Sequence, residues 1–263
     1  MLNFCSLYSG STGNCLLVST EDTNILIDAG VSQKKIIEGL ESINKNISNI
    51  DAILVTHEHS DHILSIGSLS KKYNIPIYSN KETFTAMSSQ TQKIDIENRR
   101  EFLIGKDFDI GSLKIHSFSI PHDAANPCGF SITKDDKKIS IATDIGHMND
   151  TLLNELKNSN FLMLESNYDP EILRIGRYPY RLKQRISGPF GHLPNELAGK
   201  TISSIIPTGL ERVMLGHLSK ENNFPELAHK TVLEELEYSG FSKKDVDINI
   251  ASRSEPSKII KIL

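Results

Sequence analysis

Asp51-Ala52-Ile53-Leu54-Val55-Thr56-His57-Glu58-His59-Ser60-Asp61-His62 decides the reading of this chain. An apolar run delivers the backbone straight into three histidines and an aspartate, all within His57 to His62. Ile53, Leu54 and Val55 have the branched, apolar character of a buried strand, and α/β proteins place their sites where such strands end. His57 and His59 can reach one metal ion from one side of an extended turn. Asp61 and His62, at the start of a following helix, can point to a second. Imidazole nitrogen and carboxylate oxygen suit zinc, iron or manganese better than calcium or magnesium. A solvated loop gives no reason to crowd so many titratable groups together, whereas a bound cation organises them.

Working outward, Asn3 to Tyr8, Cys15 to Ser19 and Asn24 to Asp28 read as short strands. The loop Ser9-Gly10-Ser11-Thr12-Gly13-Asn14 and the pair Glu21-Asp22 supply the turns between them. Ile36, Ile37 and Leu40 share one side of a helix expected around Val31 to Leu40. Further strands are expected at Ile75 to Tyr78, Leu113 to Ile120, Gly129 to Thr133, Lys138 to Thr143 and Phe161 to Glu165. The second half adds a helix around Pro194 to Ile206, a strand at Arg212 to Gly216, a helix at Pro225 to Tyr238 and a strand at Asp245 to Ile250. Strands with helices in both halves predict an α/β protein, with one sheet or two packed sheets covered by helices. No internal repeat, low-complexity tract or linker is visible. Residues 1-263 therefore read as one domain, with 167-193 as a basic, lid-like insertion.

Of the 263 residues, 38% are hydrophobic and 24% charged, which excludes a disordered or collagen-like chain. Basic residues number 29 and acidic ones 33, and the net charge of −4 does not advertise a nucleic-acid partner, although a local basic patch is invisible to that sum. Cys5, Cys15 and Cys128 form no close pair, which argues against a disulfide framework and fits a reducing compartment. The first residues lack a basic region, and no apolar run approaches the roughly 20 residues needed to cross a bilayer. The expectation is a soluble, cytoplasmic protein with no membrane contact.

The segment His57-Glu58-His59-Ser60-Asp61-His62 resembles the signature of the metallo-β-lactamase-fold hydrolases. His122 after Ser119-Ile120-Pro121, Asp144 after Ile139-Ser140-Ile141-Ala142-Thr143 and His217 after Val213-Met214-Leu215-Gly216 follow in the order that resemblance expects. It implies an αββα sandwich, two mixed β-sheets packed face to face with helices on both outer faces. It further implies that His57, His59 and His122 hold one divalent ion, that Asp61, His62 and His217 hold the other, and that Asp144 bridges them. Zinc or manganese is expected, with iron as a further option. Asp28, ending Ile25-Leu26-Ile27, matches the family's early aspartate and would orient the histidine loop from behind. Oxygen-reducing di-iron relatives carry Glu at the loop's second histidine, and His59 stands against that outcome. His116 and His229 read as structural or solvated, and His147 is not expected to ligate.

Two adjacent divalent ions bring a shared water's pKa toward neutrality and polarise the oxygen under attack. Hydrolysis is therefore the expected reaction, with a metal-bridging hydroxide as nucleophile and Asp61 both ligating and positioning it. From Ile172 to His192 there is no acid, while Arg174, Arg177, Arg181, Lys183 and Arg185 interleave with Tyr178 and Tyr180. Guanidinium groups suit phosphate oxygens, and tyrosine rings suit the bases of a single strand. The stretches Glu165 to Asp169, Tyr178 to Ile186, Gly191 to Glu196 and Gly216 to Asn223, with the Ser9 to Asn14 loop, are similar to blocks of the YycJ/VicX (WalJ) branch. That resemblance covers nearly the whole chain. It implies a metal-dependent phosphodiesterase acting on DNA, single-stranded or at duplex ends, as a 5′-to-3′ exonuclease. By the same likeness His192 is a phosphate ligand or proton donor, Arg181 and Arg185 contact backbone phosphates, and Asn14, Ser219 and Asn223 line the cleft. Tyr168 stands where relatives often carry His, and Pro194 where they often carry Ser. The competing expectation is a thioesterase or lactonase of the same fold acting on a small substrate, which has no use for the arginine-rich strip.

Overall fold

In the computed structural model, which describes residues 1–262, the strands form two seven-stranded sheets among the described residues. The first holds β1 (Leu2–Tyr8), β2 (Cys15–Ser19), β3 (Asn24–Ile27), β4 (Ala52–Leu54), β5 (Ile77–Ser79) and β6 (Arg99–Glu101). The second holds β7 (Asp107–Ile110), β8 (Leu113–Ser119), β9 (Cys128–Lys134), β10 (Lys137–Ala142), β11 (Phe161–Glu165), β12 (Arg212–Gly216) and β13 (Asp247–Ile250). The terminal strand β14 (Ile260–Ile262) returns to the first sheet, antiparallel to β1. The helices are α1 (Gln33–Ser42), α2 (Ser60–Ile63), α3 (Ile66–Tyr73), α4 (Lys81–Ala86), α5 (Ser88–Thr91), α6 (Asp150–Leu156), α7 (Pro170–Ile175), α8 (Tyr180–Ile186), α9 (Asn195–Ile205) and α10 (Pro225–Tyr238). None of them is long and apolar enough to cross a membrane.

Period-two alternation sorts the apolar side chains into layers. Leu2 and Phe4 of β1, Leu16 and Val18 of β2, Phe130 of β9 and Phe161 and Met163 of β11 face inward and make the core between the sheets. Phe4 and Phe161 meet there with ring centroids 4.4 Å apart. The alternate residues face outward: Leu17, Leu26 and Ile53 pack with Ile36 and Leu40 of α1. Leu162, Leu164 and Leu215 pack with Ile202 of α9 and Val232 of α10. The result is the αββα sandwich that the metallo-β-lactamase resemblance implies. A one-residue slip in any of these strands would send its apolar set to the wrong layer, so the register is tightly specified.

The two sheets share a topology that the sequence does not display. From one edge of the first sheet to the other, β14, β1, β2 and β3 pair antiparallel, then β3, β4, β5 and β6 pair parallel. In the second, β7 to β10 pair antiparallel and β10 to β13 parallel. Asp28 follows β3 and Asp144 follows its counterpart β10, both with left-handed backbone, φ 61° and 62°.

Element ends moved where local chemistry decides them. The first helix starts at Gln33, because the Ser32 side chain accepts from the Lys35 amide and caps it. The helix expected from Pro194 starts at Asn195, with proline's fixed φ in the flanking position. Short elements went unpredicted, including polar β6, an edge strand paired on one side only, and α6 to α8. Such pieces carry too few residues for a hydrophobic period to be visible.

Candidate metal centre

β4 ends at Leu54, and Val55 and Thr56 carry the chain to His57 at the rim shared by the two sheets' parallel halves. His59 flanks the start of α2, and Asp61 and His62 lie in that one-turn helix. The N-terminal loop fixes it from behind. The Asn14 amide donates to the Asp61 carbonyl at 2.8 Å, the Gly30 amide to the Asn14 carbonyl at 2.8 Å, and the Ala29 amide to the His62 carbonyl at 2.8 Å. Gly30 permits this approach, since a β-carbon there would overlap the Asp61 carbonyl. His122 follows β8, Asp144 follows β10, and His217 follows β12 with left-handed backbone, φ 54°.

These elements bring together the two ligand sets that the resemblance implies, alongside the groupings His57, His62, Asp144 and Asp144, Glu165, His192, His217. The ligand atoms of His57, His59 and His122 lie within 4.8 Å of one another, as do those of Asp61, His62 and His217. Within the first set, His59 Nδ1 is 3.1 Å from His57 Nε2 and 3.3 Å from His122 Nε2. Asp144 faces both sets, with Oδ1 3.7 Å from His122 Nε2 and Oδ2 3.4 Å from His62 Nε2. That Oδ2 is buried without a hydrogen-bond partner among the described residues. An orphaned carboxylate oxygen amid converging imidazole nitrogens fits a pair of divalent cations.

Four of the rings are aimed by a partner on the far nitrogen, the arrangement that metal-binding histidines use to fix tautomer and direction. His62 Nδ1 lies 2.7 Å from Asp28 Oδ2, and Thr56 donates to the same carboxylate through its amide and its hydroxyl. That hydroxyl, already spent as a donor, accepts from His57 Nδ1 at 3.0 Å. His122 Nδ1 donates to the Gly191 carbonyl at 3.0 Å. His217 Nδ1 lies 2.8 Å from Glu165 Oε1. In each case Nε2 turns toward the centre, that of His62 also lying 3.2 Å from Asn14 Nδ2.

Burial, together with the neighbouring His62, His122 and His59 rings, holds the His57 pKa well below the usual imidazole range. Burial also lowers that of His122. Burial opposes the charge of His217, yet Asp144, Asp61 and Glu165 around it push its pKa up to about 10. His62 is likewise raised, against its burial, by Asp144 and Asp28. Burial disfavours the Asp61 carboxylate, but hydrogen bonds from His217 and His62 hold it well below the usual carboxylate range. His57 and His122 are therefore held toward the neutral form, whereas the carboxylates around His62 and His217 hold those rings toward the protonated form.

A cleft of about 350 Å³ opens over both sets, walled by His192, Ser219, Tyr178, Leu182 and Arg185. His192 Nδ1 is 2.8 Å from Glu165 Oε1. Arg185 lies on the cleft wall, with Nε 2.5 Å and Nη2 3.0 Å from the Asp123 carboxylate. Three residues expected to meet substrate lie elsewhere. Arg181 is exposed on α8 and does not line the cleft. Asn14 is buried behind the centre, its Nδ2 3.2 Å from His62 Nε2 and its Oδ1 accepting from the Gly10 amide. Asn223 is spent on the fold, donating to the Ser166 and Asn167 carbonyls. His116 pairs with Asp107 and Glu155 at the surface, and His147 Nδ1 donates to the Pro189 carbonyl.

Glu165 went unnoticed as a site residue. It is fully buried, accepts from His192 and His217 through Oε1, and accepts from the Ile145 and Leu193 amides through Oε2. Burial opposes its ionisation, yet the His192 and His217 rings hold its carboxyl well below the usual range. The signal was present in Phe161-Leu162-Met163-Leu164-Glu165, an acid ending a wholly apolar strand between the strands that present Asp144 and His217.

Comparison with known proteins agrees with this geometry. The family described as the β-lactamase superfamily domain matches residues 23–218. The chain is 38% identical over 259 residues to exodeoxyribonuclease YycJ of Bacillus anthracis, covering 98% of each. It is 42% identical over 232 residues to exodeoxyribonuclease WalJ of Streptococcus pneumoniae, covering 88% of this chain and 86% of that one. The crystal structure of the metallo-β-lactamase fold protein YhfI from Bacillus subtilis superposes with a TM-score of 0.70 over 98% of this chain and 100% of its own, at 18% identity, a likeness of fold alone. On the family match and on this identity to relatives over most of its length, the chain belongs to the β-lactamase superfamily, as a metal-dependent hydrolase similar to YycJ and WalJ.

Proposed function

We propose that the chain hydrolyses phosphodiester bonds of DNA as a 5′-to-3′ exonuclease, acting on single strands or duplex ends in the cytoplasm. The observation that carries the reading is the double ligand set under a cleft whose wall supplies Arg185, in a chain whose relatives are named exodeoxyribonucleases. His57, His59 and His122 would hold one ion, and Asp61, His62 and His217 the other, with Asp144 shared; the donors suit zinc or manganese, with iron as a further option. When bound, such ions supply hydroxide near neutral pH and polarise the phosphoryl oxygen.

The remaining work falls to side chains. Segment 167–193, carrying α7 and α8, acts as a lid, and Arg185 meets the substrate phosphate. Arg181, one turn earlier on α8, meets a neighbouring phosphate outside the cleft. Ser219, on the opposite wall, contributes a hydroxyl. His192 gives its proton from Nε2 to the 3′-oxygen as the phosphorus–oxygen bond breaks. Glu165 orients that ring and supports its positive charge. Buried, unpaired Cys5, Cys15 and Cys128 support the cytoplasmic assignment.

The test is cleavage of end-labelled single-stranded DNA, with and without a 5′-phosphate, in manganese or zinc, beside Asp61→Asn. Stepwise shortening from the 5′ end is expected, reduced at least about a thousandfold in the variant. Turnover of an acyl thioester or lactone with no DNA shortening, by protein carrying two ions, would replace this reading with the small-substrate hydrolase.

A further inference from the structure

α8 is a partition between two cavities. Leu182, Arg185 and Ile186 face the metal cleft. Tyr180, Lys183 and Gln184, at i, i+3 and i+4, line a separate cavity of about 430 Å³ on the other side. The far wall there carries Tyr168, Leu173 and Arg174. Its size is that of a small-molecule site.

Its chemistry is specific. Tyr168 is only 5% exposed and lines this cavity. Burial, with Glu165 and Glu196 nearby, pushes its pKa up to about 12, so the group stays an O–H donor. Tyr180 is 73% exposed, a large aromatic ring at the cavity wall whose hydroxyl accepts from Gln184 Nε2 at 3.0 Å, and the Gln184 amide keeps a second hydrogen to donate. Arg174 and Lys183 add two cations. The first is held by Glu171, and the second donates to the Arg174 carbonyl, which fixes both at this wall. No carboxylate lines the cavity.

We infer that this second cavity binds one nucleotide. Its base lies against Tyr180 and Leu173, the base edge takes hydrogen bonds from Tyr168 and Gln184, and its phosphate meets Lys183. This inference rests on the phosphodiesterase reading of the adjoining cleft, from which the cavity is separated by the thickness of one helix, ~10 Å. The unit bound is a nucleoside monophosphate, either a residue of the strand being cut or a free nucleotide.

The test is the chain-length dependence of cleavage by the metal-loaded enzyme, with Tyr180→Ala and Gln184→Ala beside the wild type. A parallel titration with thymidine monophosphate follows the Leu173 methyl resonances. The KM is expected to fall at least about tenfold from dinucleotide to hexanucleotide, the worth of one stacked base, and that fall should be lost in Tyr180→Ala. Methyl shifts that Tyr180→Ala abolishes would assign the cavity to free nucleotide as well. Lost length dependence without shifts would assign it to the strand alone. Length dependence kept by both variants, with no methyl shift, overturns the inference. A wild type that cuts no DNA yet shows the Leu173 shifts would sink the phosphodiesterase reading and leave the nucleotide cavity standing. Neither cleavage nor shifts would sink both.

Discussion

Asp28, Asp144 and His217 all hold left-handed backbone at the centre, a conformation that costs a non-glycine residue about 1–3 kcal/mol and persists where surrounding contacts impose it. Those contacts are the ones that aim the rings, so strain and ligand geometry share a cause. Glu165 is the clearest case, since one carboxylate orients His192 and His217 and pins both the Asp144 and the His192 loops. Glu165→Gln keeps the shape but removes the charge. We expect kcat to fall by about 10²–10⁴, with weaker metal retention, measured by steady-state cleavage and metal analysis of the same preparation. Proton linkage gives a second expectation. Because the His217 pKa is raised to about 10, its protonated ring stabilises the metal-free fold fully below the ordinary imidazole range, and that contribution is lost as pH rises through about 10. A cation must displace that proton, so metal affinity should rise between pH 6 and 9 by about tenfold per unit for each proton released. Calorimetry in buffers of different ionisation enthalpy counts those protons; none released would contradict the assignment of His217 as a ligand.

At the scale of elements, α2 and α8 do unlike jobs. α2 is a single turn whose position is set by the Asn14 and Gly30 backbone contacts rather than by any apolar stripe. This explains why the His loop was legible as a motif while its support was not. α8 holds only Ile186 as a buried residue and presents its polar faces to two cavities. Its arginines read as one cationic strip in the sequence, and the folded helix separates Arg185, on the cleft wall, from Arg181, outside it. Arg185→Ala should raise the KM for DNA about tenfold or more and flatten its salt dependence, leaving Asp123 to repel the strand. Removing Asp123 as well should recover part of that loss. Equal KM values in wild type and Arg185→Ala would take this residue out of the substrate path.

For the whole molecule, the candidate ligands are held by a sandwich whose inner core joins the sheets through Phe4, Phe130 and Phe161. The rim carrying the centre draws on both sheets: Asp28 and the His57 to His62 loop from the first, and His122, Asp144, Glu165 and His217 from the second. Slippage between the sheets therefore becomes slippage between the two halves of the ligand shell. Phe161→Ala should cost about 3–5 kcal/mol, read as a lower denaturation midpoint with an unchanged slope.

By itself, the sequence determined the apolar strand that runs into the histidine cluster and the order of His122, Asp144 and His217, because apolar runs and metal-donor residue types are local properties of the chain. The sandwich and the division into ligand sets came from the resemblance those residues carry, since the residues alone fit one sheet or two. Only the tertiary structure decided which polar residues line the cleft. Glu165 reads as one more strand-end acid, and Asn14 and Asn223 read as cleft residues, until the packing of distant segments fixes what each side chain can reach. A buried group's role is set by its partners, which at this site can lie 208 positions away along the chain, as between Ser9 and His217. The same holds for the repeated topology of the two sheets, since backbone hydrogen bonding preserves a strand order without requiring any repeat of the side chains that carry it.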